Sequence, residues 1–305
     1  MKKWIKNFLN KKEKKDFLKN KELNKNIQFK NDFVFIKERE RLYKTSNYNL
    51  NTIQSEIVGD MAQKGFSSKR LSDVYSKSDE LIAFIKELCE ETNGKTYKEL
   101  VQRYGEDETK KYWFNLYKPN TNNNDPIKEF MRSSELFKIA ARYLGEIPQI
   151  SMLSVLYTPK TDEQSKNSMM WHLDNHHDNI VRMFINPFDM SIENGATMIF
   201  PNKYQPKYDY YKKFPYFTDE EAKEFGFDFS DKIDLVGDAG HIYFADSANC
   251  FHCGSRSKKD RFVAILTFVP YLHSNKYDDA LMRDEFALYK KENEIILNYF
   301  KEDSN

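Results

Sequence analysis

Short apolar runs separated by turn residues fill the chain from residue 150 to 272, and they constrain its fold more than any other feature. The runs are rich in Val, Ile, Phe and Tyr, and the breaks carry pairs such as Asn186-Pro187 and Asn194-Gly195. Evenly spaced short strands of this kind are typical of an antiparallel sandwich or barrel. We predict strands at 150–158, 179–185, 196–200, 241–244 and 262–269.

Helical periodicity precedes and follows this β region. Apolar residues recur at helical spacing over 76–94 and 134–144, and Gly145 followed by Pro148 can end the second helix. A helical pattern returns over 277–300. We therefore predict a single mainly β domain with flanking helices over 31–305: mostly helical support at 31–149, the β core at 150–272 and a closing helix within 273–305.

Composition excludes several classes of protein. The mean hydropathy of -0.78 excludes a membrane-embedded bundle, and no apolar stretch approaches the roughly 20 residues that span a bilayer. The net charge of +1 gives no global electrostatic case for a nucleic-acid partner. The three cysteines are too few for a disulfide framework and favour a reducing cytoplasm, where Cys250 and Cys253 are expected to be thiols.

Residues 1–30 form a separate Lys-rich segment, with Trp4, Ile5 and Phe8 at helical spacing. One interpretation is an amphipathic surface through which residues 1–20 contact the anionic inner face of a membrane peripherally. The other is a solvated helix, because only the first turns have a clear apolar face. No signal peptide is recognisable, so the protein is expected inside the cell.

The sequence Trp171-His172-Leu173-Asp174 is the feature that indicates chemistry. Side chains two residues apart on a strand point to the same face, so His172 and Asp174 can converge on one ion. His252, at the start of a later run, can supply a third ligand. Two histidines and one carboxylate form the facial triad of non-haem Fe(II) oxygenases, which leaves positions open for a co-substrate and O2.

Another histidine, His176, shares the strand parity of His172 and Asp174 and is the alternative third ligand. Three ligands on one strand would, however, spread along roughly 13 Å at about 3.3 Å per residue. This spread makes His252 the preferred ligand.

An arginine, Arg261, follows His252 by nine residues. Its parity matches Val263 and Ile265, so its guanidinium enters the barrel if that face lines the interior. A charged planar fork in apolar surroundings needs a partner, and a carboxylate is the natural bidentate one. The distal carboxylate of 2-oxoglutarate would satisfy it. Arg256, the alternative anchor, lies in a polar turn where a solvated side chain is expected.

Together these motifs resemble the Fe(II)/2-oxoglutarate-dependent dioxygenases, and most of all the phytanoyl-CoA dioxygenase-like family. The resemblance covers roughly residues 130–272 and consists of pieces in a fixed order: Trp171-His172-Leu173-Asp174, Glu193-Asn194-Gly195-Ala196-Thr197 leading to Phe200-Pro201-Asn202, Gly237-Asp238-Ala239-Gly240, Asp246, and His252-Cys253-Gly254 with Arg261. It implies a double-stranded β-helix (jelly-roll, cupin-like) core, with Fe(II), 2-oxoglutarate and O2. It further implies an enzyme that oxidises a C–H bond of a small-molecule, acyl or sugar-type substrate, releasing succinate and CO2.

The chain departs from the family pattern at two places. Pro201-Asn202-Lys203-Tyr204 stands where members often have Pro-Gly-Ser-His, and Gly254 stands where some have a serine two residues after the distal histidine. The second 2-oxoglutarate contact is therefore open, with Thr197 and Tyr157 as candidates. Because Asp174 replaces the small residue of halogenating relatives, hydroxylation, desaturation or a ring-forming oxidation is favoured over halogenation.

Between two predicted strands, the segment 203–231 is rich in Phe and Tyr. It is either a lid that shapes the substrate pocket and excludes water, or an insertion packed outside the barrel.

Other functions stay open. They are a nucleic-acid or protein demethylase or hydroxylase on the same fold, and a catalytically silent β-barrel binding module. The near-neutral charge argues against a nucleic-acid partner. The oligomeric state is not indicated by the sequence.

Overall fold

Two antiparallel sheets carry the β region. The computed structural model describes residues 37–104, 113–119, 125–160, 167–174, 178–204, 216–254, 256–271 and 289–303, so the basic segment 1–30 lies outside the described residues. Within these residues the nine strands are β1 (Phe66–Arg70), β2 (Phe114–Asn115), β3 (Gln149–Thr158), β4 (Val181–Ile185), β5 (Met198–Ile199), β6 (Ile233–Asp234), β7 (His241–Ala245), β8 (His252–Cys253) and β9 (Arg261–Val269).

Strand order defines a large and a small sheet. The large sheet runs β1-β7-β4-β9-β3-β2, and the small sheet runs β6-β5-β8. An isolated bridge between His172 and His252 pairs His172 with the free edge of β8, and Trp171 is bridged to Phe217. The small sheet is therefore extended at this edge by one residue of the predicted ligand motif.

The helices lie mostly before the β core. They span 37–45, Thr52–Lys64, Leu71–Val74, Ser78–Glu90, Tyr97–Tyr104, Pro126–Met131, Ser134–Leu144, Asp219–Glu224 and Lys290–Glu302. The side chain of Asn51 caps the helix Thr52–Lys64, and Gly65 ends it with φ of 87°. Gly145 ends the helix Ser134–Leu144 with φ of 73°, a left-handed conformation that favours glycine. Among the described residues, none of these helices combines the length and apolarity needed to cross a membrane.

Alternation along β9 separates two apolar layers. Leu266 and Phe268 face the main core, which also contains Ile57 and Phe137 from the helices. Val263 and Ile265 face the other way, into the space between the sheets, together with residues of the small sheet and its neighbours such as Ile199, Leu235 and Cys250. The helices therefore cover the outer face of the large sheet and leave its inner face for a site.

The predicted elements and the observed ones agree closely in the β region. Gly145 ends the second predicted helix, and the strand predicted at 196–200 shortens to Met198–Ile199. Four observed strands have no counterpart among the predicted ones: β1 and β2 lie within the region predicted to be mostly helical, and β6 and β8 are two-residue strands inside the β core. β1 reads Phe-Ser-Ser-Lys-Arg and lacks an apolar alternation, so only its pairing with β7 reveals it as a strand.

Candidate metal centre

Three predicted ligands meet at the edge of the small sheet. The backbone N–H of His172 donates to the carbonyl of His252 at 3.0 Å, and the reciprocal bond is also 3.0 Å. This pairing sets the two imidazole rings side by side, with centroids 4.3 Å apart. One ligand atom from each of His172, Asp174 and His252 lies within 4.8 Å of the other two. The structure therefore brings together the residues that the sequence motif nominated.

Backbone carbonyls orient both rings in the same way. The Nδ1 of His172 lies 2.9 Å from the carbonyl oxygen of Met170, and the Nδ1 of His252 lies 3.1 Å from that of Cys250. Because a carbonyl oxygen can only accept, each Nδ1 carries the proton in these contacts. Each Nε2 is then left with a lone pair, which is the form of histidine that binds a metal.

The electrostatics of the site also suit metal ligation. Burial, followed by the neighbouring His172, lowers the pKa of His252 to about 3, and burial lowers the pKa of His172. Burial alone would raise the pKa of Asp174, but Arg182 and then the two histidines hold that pKa well below its usual range. At neutral pH the site thus offers two neutral imidazoles and one carboxylate, the protonation states that a metal ion requires.

This donor set fits a divalent transition metal. Two imidazole nitrogens and one carboxylate oxygen converge from a single edge of the small sheet, and both histidines are buried. Such a set with open positions is the signature of non-haem Fe(II) sites, whereas Mg²⁺ or Ca²⁺ sites are built mainly from oxygen ligands. His176, the alternative ligand, lies outside the described residues.

Arg261 lies on the inner face of β9, near Gly254, which follows the candidate ligand His252 by two residues. Its Nη2 donates to Thr197 Oγ1 at 2.9 Å, and both residues are buried. Thr197 immediately precedes β5, whose Ile199 pairs with His252. A Cβ added to Gly254 would lie 3.3 Å from Thr197 Oγ1 and 3.6 Å from Arg261 Nη2. Thr197 therefore places a hydroxyl where a side chain on residue 254 would otherwise point.

The other candidate for the second co-substrate contact, Tyr157, lies on the wrong face. It pairs with Phe262 across β3 and β9 and stacks on that ring with a centroid distance of 4.8 Å. Its hydroxyl donates to Asp260 at 3.2 Å. Arg261 and Phe262 are consecutive in β9, so their side chains point to opposite faces of the sheet. Tyr157 is paired with Phe262 and therefore lies on the face opposite to Arg261. The structure thus separates Tyr157 from the candidate site.

The alternative anchor, Arg256, is engaged elsewhere and is not simply solvated as expected. Its Nε donates to the carbonyl of Met169 at 2.6 Å, and its Nη1 lies 2.8 Å from both carboxylate oxygens of Asp219. Trp171 Nε1 donates to the same carboxylate at 2.7 Å. Arg256 therefore clamps the segment that leads into His172 against the helix Asp219–Glu224.

The described part of the aromatic segment packs outside the small sheet. Phe217, Phe225 and Phe227 form a cluster with Trp171 and with Phe251. These contacts match the outer-insertion interpretation for residues 216–231, while residues 205–215 lie outside the described residues. Tyr216 is the nearest part to the ligands, because its ring centroid is 5.4 Å from that of His172. The lid interpretation stays a prediction.

One site residue was missed by the sequence interpretation. Arg182 is the second residue of β4, and its Nη1 is 2.5 Å from Asp174 Oδ2. The signal was present, because a single charged residue interrupts the apolar run Val181–Ile185. A charge in a buried strand needs a partner, but the sequence does not show which carboxylate supplies it, because Asp178 lies nearer along the chain than Asp174.

Comparison with known proteins gives structural matches but no sequence matches. No protein-family model matches the sequence, and no curated protein matches it significantly. Similar solved structures include the non-heme alpha-ketoglutarate-dependent carbocyclase SnoK from nogalamycin biosynthesis, with 15% identity, a TM-score of 0.48 and coverage of 78% of this chain and 92% of SnoK. The epimerase SnoN, in complex with Fe3+, alpha-ketoglutarate and nogalamycin RO, has 12% identity, a TM-score of 0.47 and coverage of 71% and 83%.

HygX from Streptomyces hygroscopicus, with nickel and 2-oxoglutarate bound, is also similar, with 11% identity, a TM-score of 0.47 and coverage of 73% of this chain and 88% of HygX. The solved structures that resemble this chain thus include 2-oxoglutarate-dependent non-heme enzymes, the class that its motifs resemble. All three TM-scores lie below 0.5, so the function proposed below rests on the residues of the site.

Proposed function

We propose that the chain is a non-haem Fe(II)- and 2-oxoglutarate-dependent dioxygenase that oxidises a C–H bond of a small-molecule, acyl or sugar-type substrate. The observation that carries this proposal is the convergence of His172, Asp174 and His252 at one edge of the small sheet, with the buried Arg261–Thr197 pair next to Gly254, two residues after His252. A metal triad alone would be compatible with many reactions. The adjacent guanidinium adds a binding group for a carboxylate, which indicates an acidic co-substrate.

The path of the chain supports a double-stranded β-helix for the core. From β3 to β9 the successive strands, with His172 counted as one, lie in the large, small, large, small, small, large, small and large sheets. This order is the same when it is followed from β9 back to β3. The nested antiparallel pairs are β3 with β9, His172 with His252, β4 with β7, and β5 with β6. A long hairpin folded over on itself produces this nesting, which is the architecture of jelly rolls and cupins.

In this proposal the three ligands hold Fe(II), which supplies the oxidative chemistry when bound together with 2-oxoglutarate and O2. His172 and His252 present neutral Nε2 atoms, because both Nδ1 protons are bonded to backbone carbonyls. Asp174 contributes negative charge in the low-dielectric interior, where it stabilises a cation more than it would in water. The residues thus provide geometry and charge, and the cofactor provides the reaction.

Arg261 and Thr197 bind the far carboxylate of 2-oxoglutarate in this proposal. Arg261 offers a planar fork with fixed charge, and the Thr197 hydroxyl both accepts from Arg261 and retains a proton to donate to a carboxylate oxygen. Val263 and Ile265 make the same face of β9 apolar and exclude water from the co-substrate.

The experiment that tests the proposal is a screen for succinate formation. The full-length protein is incubated with Fe(II), 2-oxoglutarate, O2 and fractions of a metabolite extract, and succinate is measured by mass spectrometry. The proposal expects succinate above background in at least some fractions, and none with His252→Ala. Succinate formation that is identical in wild type and His252→Ala would contradict it, as would no succinate formation in any fraction from a protein shown to bind iron and 2-oxoglutarate.

A further inference from the structure

Arg182 makes an unusual contact, because its partner is a ligand of the proposed metal. Its Nη1 lies 2.5 Å from Asp174 Oδ2, and the two side chains are 17% and 14% exposed. Its Nε donates to Thr267 Oγ1 at 3.3 Å, and Thr267 is buried on the inner face of β9. The guanidinium is thus held at two points between the sheets.

The contact involves the oxygen that faces the other ligands. The same Asp174 Oδ2 lies 3.5 Å from His252 Nε2. An oxygen that faces the Nε2 of a ligand histidine is the oxygen available to a metal. The guanidinium of Arg182 and a metal ion would therefore compete for Asp174 Oδ2.

We propose, resting on the metal centre proposed above, that Arg182 is a resident counter-ion that neutralises Asp174 in the metal-free protein. A buried carboxylate without a partner is strongly destabilising, and a neighbouring guanidinium removes that penalty. When a divalent ion binds, it takes over this role, and Arg182 becomes a second positive charge close to the first. Arg182 thus stabilises the metal-free protein and weakens metal binding.

The direction of the change in metal affinity on removal of Arg182 distinguishes a counter-ion from a positioning residue. If Arg182 only held Asp174 in a productive orientation, its removal would weaken metal binding. If Arg182 is a counter-ion, its removal leaves an uncompensated carboxylate that binds a cation more tightly. Two measurements together identify the counter-ion role. In that role, removal of Arg182 lowers the stability of the metal-free protein and also raises its affinity for the metal.

The test compares wild type, Arg182→Met and Arg182→Lys in the full chain at pH 7.5, with Mn(II) alone as the probe. We expect the dissociation constant of Mn(II) to fall about tenfold or more in Arg182→Met, since a like charge near the ion is removed. The melting temperature of the metal-free variant should fall by about 5 °C or more, as expected for a broken buried pair. Arg182→Lys, which keeps the charge, should stay close to wild type in both measurements.

The control is Arg70→Met, which breaks an exposed Arg–Asp pair of similar length on β1, with Arg70 Nη2 2.6 Å from Asp238 Oδ2. It should leave Mn(II) affinity unchanged. If Arg182→Met does not fold, Arg182→Gln is measured in its place, with the same expected direction.

Weaker or unchanged Mn(II) binding in the neutral variants would overturn the counter-ion role while leaving the metal centre intact. A wild-type protein that binds no Mn(II) would instead overturn the proposed metal centre, and this inference with it.

Discussion

At the scale of single residues, the candidate site depends on which direction each side chain points. Arg261 and Tyr157 lie on neighbouring paired strands, yet the alternation of β9 sends Arg261 between the sheets and leaves Tyr157 with Phe262 on the outer face. Thr197 reaches Arg261 from the opposite sheet. Parity along one strand could be read from the sequence, whereas the choice between Thr197 and Tyr157 required the pairing of strands distant in sequence.

The Arg261–Thr197 pair leads to a prediction about co-substrate affinity. Arg261→Lys keeps the charge but loses the planar fork. Because a charge-assisted hydrogen bond contributes about 1.5–3 kcal/mol, the loss of one should raise the dissociation constant of 2-oxoglutarate about tenfold. Thr197→Val should weaken binding less, because it removes one neutral hydroxyl. Titration calorimetry with metal-loaded protein measures both. Tyr157→Phe is the matched control, and a loss of affinity there would return Tyr157 to the site.

Buried histidines make the metal-free protein sensitive to acid. An unfolded histidine has a pKa of about 6.5, and the folded pKa of His252 is about 3. Between these values the unfolded chain binds a proton that the folded chain does not, so the free energy of unfolding falls as the pH is lowered from about 6.5 to 3. Thermal melts in chelator should show this decline, and His252→Asn should make it shallower. An equal decline in the variant would contradict the assignment to His252.

At the scale of elements, the ligand strand is supported from outside by a polar clamp. Arg256 ties the carbonyl of Met169 to Asp219, and Trp171 donates to the same carboxylate. The helix Asp219–Glu224 therefore contacts the segment that carries His172. This clamp could not be predicted from the sequence, because its three parts lie far apart along the chain and Arg256 occupies a polar turn.

The clamp predicts that Arg256 affects stability and not co-substrate binding. Arg256→Met should lower the free energy of unfolding by about 1–3 kcal/mol, since it removes the donor to the Met169 carbonyl and leaves Asp219 with Trp171 as its donor. The affinity of the metal-saturated variant for 2-oxoglutarate should remain within about twofold of wild type. Chemical denaturation and calorimetry measure the two quantities. A large loss of 2-oxoglutarate affinity with unchanged stability would make Arg256 the anchor in place of Arg261.

Sequence patterns predicted the elements whose burial is periodic and missed those defined by partners. The helix Ser134–Leu144 and the strand β9 have clear apolar faces, so both were predicted close to their observed bounds. β1 has no such face, and it forms a strand because it pairs antiparallel with the edge of β7. Arg182 was missed for the same reason, because its role depends on the ion pair with Asp174, and only the fold brings the two side chains together.

At the scale of the whole molecule, the last helix completes the core. The helix Lys290–Glu302 packs on β3, where Asn293 Oδ1 accepts from the backbone N–H of Ile150 at 2.8 Å. A register irregularity lies between Ile150 and Met152, and Asn293 satisfies the backbone at this point. The helix Lys290–Glu302 therefore supplies a hydrogen-bond partner to backbone groups of β3 at the irregularity in its pairing with β9.

This role of the closing helix predicts the effect of Asn293→Ala. The free energy of unfolding should fall by about 1–3 kcal/mol, because buried backbone groups of Ile150 lose their partner. The metal site should be unaffected, since the substitution lies on the outer face of the large sheet. Chemical denaturation measures the stability, and Mn(II) titration is the control. Unchanged stability would show that Asn293 contributes nothing to the closure.

The proposed function requires one site to bind both the metal and 2-oxoglutarate. The most direct measurement is anaerobic titration calorimetry of 2-oxoglutarate into three samples: Fe(II)-loaded wild type, metal-free wild type, and His252→Ala treated with Fe(II). Because ligands that share a site are thermodynamically linked, we predict a dissociation constant at least about tenfold lower for the loaded wild type than for either of the others. Equal affinity in all three samples, or no binding to a wild type shown to hold iron, would contradict the claim.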